Sequence, residues 1–137
     1  MSKIKHKSTK SLRKILWKLV SEYVRRSASD GNGIATCYTC GKRGRWETMH
    51  CGHYIHRDCL DYEADFNLRC QCPRCNLYLS GNSGVFAEKL IAEIGAEEVS
   101  LLRQRSKQVK KWTVLELEEM ILTYKQALGT LSGEVSK

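Results

Sequence analysis

Apolar side chains recur at steps of three and four residues near the start of the chain, from residue 10 to about residue 28. Such spacing places them on one face of an α-helix, with most charged side chains on the other, and predicts an amphipathic helix. The polar, glycine-containing segment 27–33 interrupts the pattern and predicts a loop. The apolar positions of this predicted helix are Leu12, Ile15, Leu16, Leu19, Tyr23 and Val24.

Residues 34–82 show short β-like segments in place of helical periodicity. We predict strands at Ile34–Tyr38, at Trp46–Ile55 and near Phe66–Leu68. The same region contains all seven cysteines, three of the four histidines and the only proline of the chain. We therefore expect the functional site to lie in this region.

Helical patterns return after the Ser-Gly-Asn-Ser-Gly segment 80–84. Gly95 predicts the end of the first helix, since glycine is favoured just after a helix C-terminus. Thr113 and Glu116 have the spacing of a capping box, which predicts the start of the last helix. The predicted helices are Val85–Ile94, 97–105 and one from Thr113 to about Leu128, whose apolar stripe is Leu117, Ile121, Tyr124 and Leu128.

These patterns predict an α+β protein with three parts. Residues 1–33 form a basic amphipathic helix and a linker, residues 34–95 the site-bearing domain, and residues 96–137 a C-terminal helical region. A chain of 137 residues has the length of one ordinary domain with appended helices.

Basic side chains are concentrated at the N-terminus. Residues 1–26 carry nine Lys and Arg residues and one acidic residue, whereas the other 111 residues carry 14 basic and 14 acidic residues. The net charge of +8 therefore lies in the first segment, which favours binding to a polyanion such as DNA. A solubilising basic tail is the alternative interpretation.

The chain contains no apolar run close to the roughly 20 residues that a membrane span needs. No apolar signal-peptide core follows the basic N-terminus. We therefore expect a cytoplasmic protein that does not act at a membrane.

Four of the seven cysteines form two Cys-x2-Cys pairs, Cys37 with Cys40 and Cys72 with Cys75. Each pair can present two thiolates from one tight turn, and two such turns make a tetrahedral zinc site. Because four thiolates leave no open position, we predict a structural zinc ion. A redox pair is the alternative, but no thioredoxin-like βαβ pattern surrounds either motif. The cysteines expected to be unligated thiols are Cys51, Cys59 and Cys70.

The two cysteine pairs are separated by 31 residues, more than the spacing of a simple zinc ribbon. In order, the region contains a Cys-x2-Cys pair, the Gly52-His53 step, Asn67, and a second pair followed by Asn76. This order resembles the HNH (ββα-metal) endonucleases, in which cysteine knuckles brace a β-hairpin followed by a short helix. The resemblance implies a small ββα-metal, zinc-stapled core with flanking α-helices.

The resemblance also implies roles for three residues. His53 would be the general base, Asn67 the asparagine that stabilises the hairpin loop, and Asn76 a ligand of a catalytic divalent cation. Neutral imidazole can deprotonate a water that attacks a phosphodiester. Mg²⁺ or Mn²⁺ would neutralise charge on the phosphate, and an amide oxygen suits such an ion. The alternatives are a structural hydrogen-bonding role for His53 and helix N-terminal packing for Asn76.

A closer resemblance is to the NinG/Rap recombination proteins of lambdoid phages and their prophage relatives. It covers roughly residues 12–95, with a looser match in the C-terminal helix. It implies an endonuclease that cleaves branched DNA of the Holliday-junction type during phage recombination in the bacterial host cell. Symmetric cleavage of a junction needs two active sites, so it also implies a homodimer. The matching pieces are Tyr23-Val-Arg-Arg26, Cys37-Tyr-Thr-Cys-Gly-Lys42, Gly52-His-Tyr-Ile-His-Arg57, Phe66-Asn-Leu68, Gln71-Cys-Pro-Arg-Cys-Asn76, Leu79-Ser-Gly-Asn82 and Ile94-Gly95.

Gly52 departs from the wider HNH pattern. In HNH nucleases the residue before the catalytic histidine is often Asp or His and binds the metal, whereas glycine has no side chain. The second protein ligand is therefore open, and water or substrate phosphates are an alternative to it. The nearby candidates are His50, His56, Asp58, Asp61 and Asp65.

Basic residues of the N-terminal helix would supply non-specific DNA affinity, and two further arginines would contact phosphate. They are Lys10, Arg13, Lys14, Lys18, Arg25, Arg26, Arg57 and Arg74. Two other functions stay open: a zinc-containing DNA-binding or adaptor protein without catalysis, and an HNH nicking endonuclease without junction selectivity.

Overall fold

A computed structural model describes residues 7–132 as a mixed α+β fold with four α-helices and two small antiparallel sheets. The predicted α+β class is confirmed. Lys3 and Lys5 of the basic segment lie outside the described residues. The helices are α1 (Thr9–Ser27), α2 (Ser83–Ile94), α3 (Ala96–Arg105) and α4 (Val114–Leu131), and the strands are β1 (Ile34–Thr36), β2 (Arg43–Arg45), β3 (His50–His53) and β4 (Leu68–Gln71).

The helices α1 and α4 pack against each other, and α1 also packs against the β3–β4 hairpin. Both start at a side-chain cap. Ser8 accepts a hydrogen bond from the Ser11 N–H before α1, and Thr113 and Glu116 form the predicted capping box before α4. Their apolar faces share one hydrophobic cluster, so the two ends of the chain share a core with the site-bearing hairpin. Its buried members are Leu12, Leu16, Val20, Val24, Cys51, Tyr62, Leu68, Leu117 and Ile121.

The two hairpins determine which residues of the middle region meet. β1 pairs with β2, and β3 pairs with β4 so that His50 lies opposite Gln71 and His53 opposite Leu68. After β4 the chain forms one turn of π-helix, Arg74–Tyr78, and then α2. The short helical segment that the resemblance implies is thus one π-helical turn, which includes Cys75 and carries Asn76.

The strands are shorter than the sequence patterns predict. The segment Trp46–Ile55 divides into a 3₁₀ turn, Trp46–Thr48, and the strand β3. The predicted strand near Phe66–Leu68 begins only at Leu68, because the preceding residue bonds to the loop. β2 was not predicted, since its Arg-Gly-Arg sequence has no β-branched or aromatic residue.

The helices α2 and α3 form a second cluster beneath the loop between β3 and β4. Phe86, Leu90, Val99 and Leu102 are fully buried there together with Leu60 of the loop. Among residues 7–132, no helix combines the length and the apolar character that crossing a membrane requires.

Candidate functional site

Four cysteine side chains converge where the β1–β2 hairpin meets the end of β4. The first pair lies in the turn after β1, where Gly41 has a φ of +80° that favours glycine. The second pair follows β4, and the Tyr38 N–H donates to the Cys70 carbonyl at 2.8 Å, which joins the two segments. All four ligand atoms lie within 4.8 Å of one another. The four-cysteine cluster consists of Cys37, Cys40, Cys72 and Cys75.

Two sulfur atoms of the four-cysteine cluster have the separation of one edge of a tetrahedral zinc site. The Sγ atoms of Cys40 and Cys72 are 3.7 Å apart. A tetrahedron with Zn–S bonds of about 2.3 Å has sulfur–sulfur edges of about 3.8 Å. Four soft donors with this spacing can hold a metal such as zinc, as the two Cys-x2-Cys pairs predict.

The protein environment favours one thiolate in the cluster and opposes a second. Burial raises the pKa of Cys37, but hydrogen bonds from the Thr39 hydroxyl and from backbone N–H groups outweigh burial and lower this pKa to about 6. The Lys42 N–H lowers the pKa of Cys40, whereas burial and the neighbouring thiols raise it to about 12. Ionisation of Cys40 beside the Cys37 thiolate would therefore be favoured by a cation in the cluster.

The other three cysteines lie outside the four-cysteine cluster. Cys51 and Cys70 are buried directly opposite each other in the β3–β4 hairpin, and burial raises the pKa of both to about 12. Cys59 is half-buried, and its thiol donates to the Arg105 carbonyl at 3.3 Å. They pack as small, weakly polar side chains.

The Asn67 side chain closes the loop between β3 and β4. Its Oδ1 accepts from the Ile55 N–H at 2.9 Å, and its Nδ2 donates to the carbonyls of Ile55 at 2.9 Å and Leu60 at 3.0 Å. Asn67 is fully buried, so these hydrogen bonds satisfy backbone groups that water cannot reach. The chain that leaves β3 just after His53 is thereby fixed.

His53, the last residue of β3, lies beneath α1. Its ring stacks on the Trp17 indole with centroids 5.0 Å apart, and the His56 ring is also 5.0 Å away. The His53 side chain is only 14% exposed, and its Nε2 is buried without a hydrogen-bond partner, 3.8 Å from the Asp61 carboxylate. Burial and the charge of His56 lower the pKa of His53 to about 4, so the ring is neutral at neutral pH.

Asn76 contacts His50 and not His53. Asn76 Nδ2 is 2.9 Å from His50 Nδ1. Side chains alternate along β3, so His50 and Gly52 face the π-helical turn while Cys51 and His53 face α1. The His53 side chain and the Asn76 side chain therefore lie on opposite faces of β3. Within the described residues, no hydrogen bond joins them.

The side chain of Gln71 occupies the space beside Gly52. A Cβ atom at Gly52 would lie 1.9 Å from Gln71 Oε1, so only glycine leaves room for this amide. Gln71 Nε2 donates to Thr39 Oγ1 at 3.1 Å and to the Gly81 carbonyl at 2.8 Å. Gln71 Oε1, in contrast, is buried without a hydrogen-bond partner.

Of the other candidate ligands, Asp61 and His56 lie next to His53. Asp61 Oδ2 accepts from Arg13 at 2.8 Å, and Asp58 lies 3.6 Å from the same guanidinium. Burial raises the pKa of Asp61 although Arg13 opposes this effect. His56 is exposed, and its ring lies beside that of His53. Asp65 is also exposed.

Three of the predicted DNA-binding lysines form an exposed row on α1. They occupy successive turns of the helix and line a cavity of about 550 Å³ that Trp17 also lines. Because Trp17 stacks on His53, this row lies next to the histidine. The members of the lysine row are Lys10, Lys14 and Lys18.

Most of the predicted DNA-binding arginines make contacts within the fold. Arg13 Nε donates to Tyr62 Oη at 2.9 Å in addition to its contact with Asp61. The Arg25 guanidinium lies over the Trp46 ring, 5.2 Å from its centroid. Arg26 pairs with Glu22 at 2.9 Å, Arg57 donates to the Ser106 carbonyl at 3.1 Å, and Arg74 is exposed.

Sequence reasoning did not single out Trp17 or Gln71. Trp17 is an aromatic residue between Lys14 and Lys18 on the polar side of an amphipathic pattern, and this position was a usable signal. Gln71 has no comparable signal, because its importance depends on the strand register that brings it beside Gly52.

The fold and the site define a mixed α+β protein in which a four-cysteine cluster that could hold a metal lies beside a histidine-bearing hairpin. Residues 1–134 match the family model described as bacteriophage lambda NinG protein. The chain therefore belongs to the NinG family, a phage family associated with recombination. No match was found among curated proteins or among solved structures.

Proposed function

We propose that this protein is a metal-dependent DNA endonuclease of the HNH (ββα-metal) type that cleaves branched DNA in phage recombination. The observation that carries the proposal is the arrangement around β3. His53 ends the strand, Asn67 fixes the following loop, and Asn76 reaches the strand from the helical turn after β4. A neutral imidazole can act as a base and an amide oxygen can bind a divalent cation. Because the two side chains lie on opposite faces of β3, the scissile phosphate would have to reach both around the strand.

His53 is suited to act as the general base because its ring is neutral above a pH of about 4. With Nε2 buried 3.8 Å from Asp61, Nδ1 would be the nitrogen that accepts a proton from the attacking water. A pKa this low makes a weak base. A bound phosphate would strengthen it, because a nearby negative charge favours the protonated imidazole and raises its pKa.

Asn76 would hold the catalytic cation, Mg²⁺ or Mn²⁺, because its side chain offers an amide oxygen beside β3. When bound, the cation would neutralise charge on the scissile phosphate and stabilise the departing 3′-oxygen. The four-cysteine cluster would hold a separate structural zinc ion, since thiolates are poor ligands for hard cations.

The lysine row on α1 supports a DNA substrate. Three exposed ammonium groups on one helix face, next to the cavity that Trp17 lines, can follow a phosphate backbone toward His53. Their contribution to DNA affinity is independent of DNA sequence, as expected for an enzyme that recognises the structure of its DNA substrate.

Tyr78 favours a branched substrate over continuous duplex. It lies two residues after Asn76, and 82% of its surface is exposed. An exposed aromatic side chain can stack on a base that loses its stacking neighbour at a branch point. Symmetric cutting of such a junction needs two active sites, so the proposal includes a homodimer, acting in the cytoplasm of the bacterial host.

The test is cleavage of four-way, forked and linear DNA by the zinc-loaded protein with Mg²⁺ or Mn²⁺. We expect preferential cutting of the junction, and a loss of about 10²–10⁴-fold in His53→Ala, the usual contribution of a general base. Zinc content and junction affinity should change little. His56→Ala is the matched control: it removes the exposed neighbouring imidazole, and loss of that charge should raise the pKa of His53 and leave the base in place, so activity should be kept.

The results also separate the two other functions. Tight junction binding without cleavage under any metal condition would support a zinc-containing adaptor. Equal cleavage of junction and linear DNA would support a nicking enzyme without junction selectivity. Full activity of His53→Ala would refute the assignment of the base.

A further inference from the structure

We propose that His50, Asn76 and Gln71 are the protein ligands of the divalent cation, and that this donor set prefers Mn²⁺ to Mg²⁺. The inference rests on the proposed function, because it names the ligands of the same cation site. It names the side chains that would take the place of the metal ligand that Gly52 cannot provide.

The first observation is the contact between His50 and Asn76. His50 Nδ1 and the Asn76 amide are 2.9 Å apart, with the amide nitrogen toward the ring. Rotating the amide by 180° exchanges its nitrogen and oxygen, so Oδ1 can take the same position. Two neighbouring ligands of an octahedral ion with bonds of about 2.1 Å are about 3.0 Å apart. The pair therefore has the spacing of one edge of a coordination octahedron.

The second observation is the unsatisfied oxygen of Gln71. This side chain is fully buried, and its Oε1 has no hydrogen-bond partner although its Nε2 has two. Gln71 lies opposite His50 in the β3–β4 register, so the two side chains share the face of the hairpin that meets the π-helical turn. A buried carbonyl oxygen without a donor is unfavourable, and a cation would supply its missing partner.

The acidic alternatives are less suited to this position. Asp61 is bound to Arg13, and Asp58 lies beside the same guanidinium. Both belong to the loop around His53, on the α1 side of the hairpin. His50 is the candidate that contacts Asn76.

The chemistry of the donors determines the preferred ion. An imidazole nitrogen and two amide oxygens carry no charge, whereas sites for Mg²⁺ usually include carboxylates. Imidazole favours transition-metal ions over Mg²⁺. Neutral ligands also leave the full positive charge of the cation for the phosphate. Mn²⁺, which accepts both oxygen and nitrogen ligands, is the probe for this site.

The experiment measures Mn²⁺ binding to the zinc-loaded protein by electron paramagnetic resonance, without DNA. We expect one Mn²⁺ site, a nitrogen coupling in pulsed spectra, and weaker competition by Mg²⁺ than by Ni²⁺. His50→Ala should lose the nitrogen coupling and bind Mn²⁺ at least about tenfold more weakly. Asn76→Ala and Gln71→Met should weaken binding but keep the coupling.

His56→Ala is the control, since it removes an exposed imidazole outside the proposed ligand set. Asn76→Asp tests the charge argument, because an added carboxylate should strengthen Mg²⁺ binding. Zinc content and circular dichroism establish that each variant is folded. Wild-type affinity and coupling in folded His50→Ala would overturn the inference even if the protein cleaves DNA. Mn²⁺ binding through His50 without any DNA cleavage would uphold the site and refute the proposed function.

Discussion

The indole of Trp17 lies almost parallel to the imidazole of His53, with 15° between the ring planes and 5.0 Å between the centroids. Trp17 belongs to α1, 36 positions before His53 in the chain. The basic N-terminal helix therefore covers the candidate base directly, in addition to presenting the lysine row. Removal of the indole should change the pKa of His53 more than it changes the folded structure.

Trp17→Ala should raise the pKa of His53 from about 4 toward the ordinary value, because the exposed ring regains hydration of its charged form. The pKa is measured from the ring-proton chemical shifts in NMR spectra across a pH series. Trp17→Phe keeps an aromatic cover and should keep the low pKa. An unchanged pKa in Trp17→Ala would show that the indole does not cause the shift.

The stability of the protein should fall on acidification through His53. The ring stays neutral in the folded state down to a pH of about 4, whereas in the unfolded chain it is protonated below about 6.5. Between these values the unfolded state binds more protons, so the free energy of unfolding decreases as pH falls. The shift corresponds to about 3 kcal/mol.

Urea unfolding of wild type and His53→Gln at pH 7 and pH 4.5 measures this contribution. Protonation of the cysteine ligands affects both proteins equally, so the wild type should lose about 2–3 kcal/mol more than the variant. If both proteins lose the same free energy of unfolding, the acid sensitivity comes from groups other than His53.

Asn67→Ala should destabilise the protein by about 3 kcal/mol or more, because the Ile55 N–H and two buried carbonyls lose their partners. Chemical denaturation gives the free energy of unfolding. Asn32→Ala, on the exposed loop before β1, should change it by less than about 0.5 kcal/mol. Similar values for the two variants would contradict a special role for the Asn67 side chain.

Replacing the lysine row with alanines should weaken junction binding and reduce the salt dependence of affinity. Three lost phosphate contacts lower the slope of log K against log salt by about 2–3. Affinities at several salt concentrations test this directly. The control replaces Lys89, Lys107 and Lys125, three exposed lysines that do not belong to the lysine row, and should keep the wild-type slope.

Cys72→Ser should remove the bound metal, because it deletes one of four converging ligands. Elemental analysis should give about one zinc per chain for wild type and almost none for the variant. The midpoint of thermal unfolding should fall, as it should after chelation of wild type. Cys59→Ser, outside the four-cysteine cluster, is expected to retain its zinc; loss of zinc there would mean that the ligands are misassigned.

Features that depend on neighbours along the chain could be predicted from the sequence. The two Cys-x2-Cys pairs predict their turns, the spacing of Thr113 and Glu116 predicts the capping box, and the leucines of α1 predict its buried face. Each depends on residues three or four positions apart, where backbone geometry alone brings side chains together.

Strand ends were less predictable, because a short strand is defined by its partner. β2 exists since Arg43–Arg45 pairs with β1, although its own residues do not favour a strand. β4 starts at Leu68 since the side chain of Asn67 is engaged in closing the loop.

The sequence by itself determined the two Cys-x2-Cys pairs, the helices and the identity of the residues that can carry chemistry at this site. Tertiary structure decided which of them meet: Trp17 on His53, Asn76 on His50, and Gln71 in the space beside Gly52. The physical reason is that these contacts join residues distant in sequence, and depend on the register of β3 with β4 and on the packing of α1.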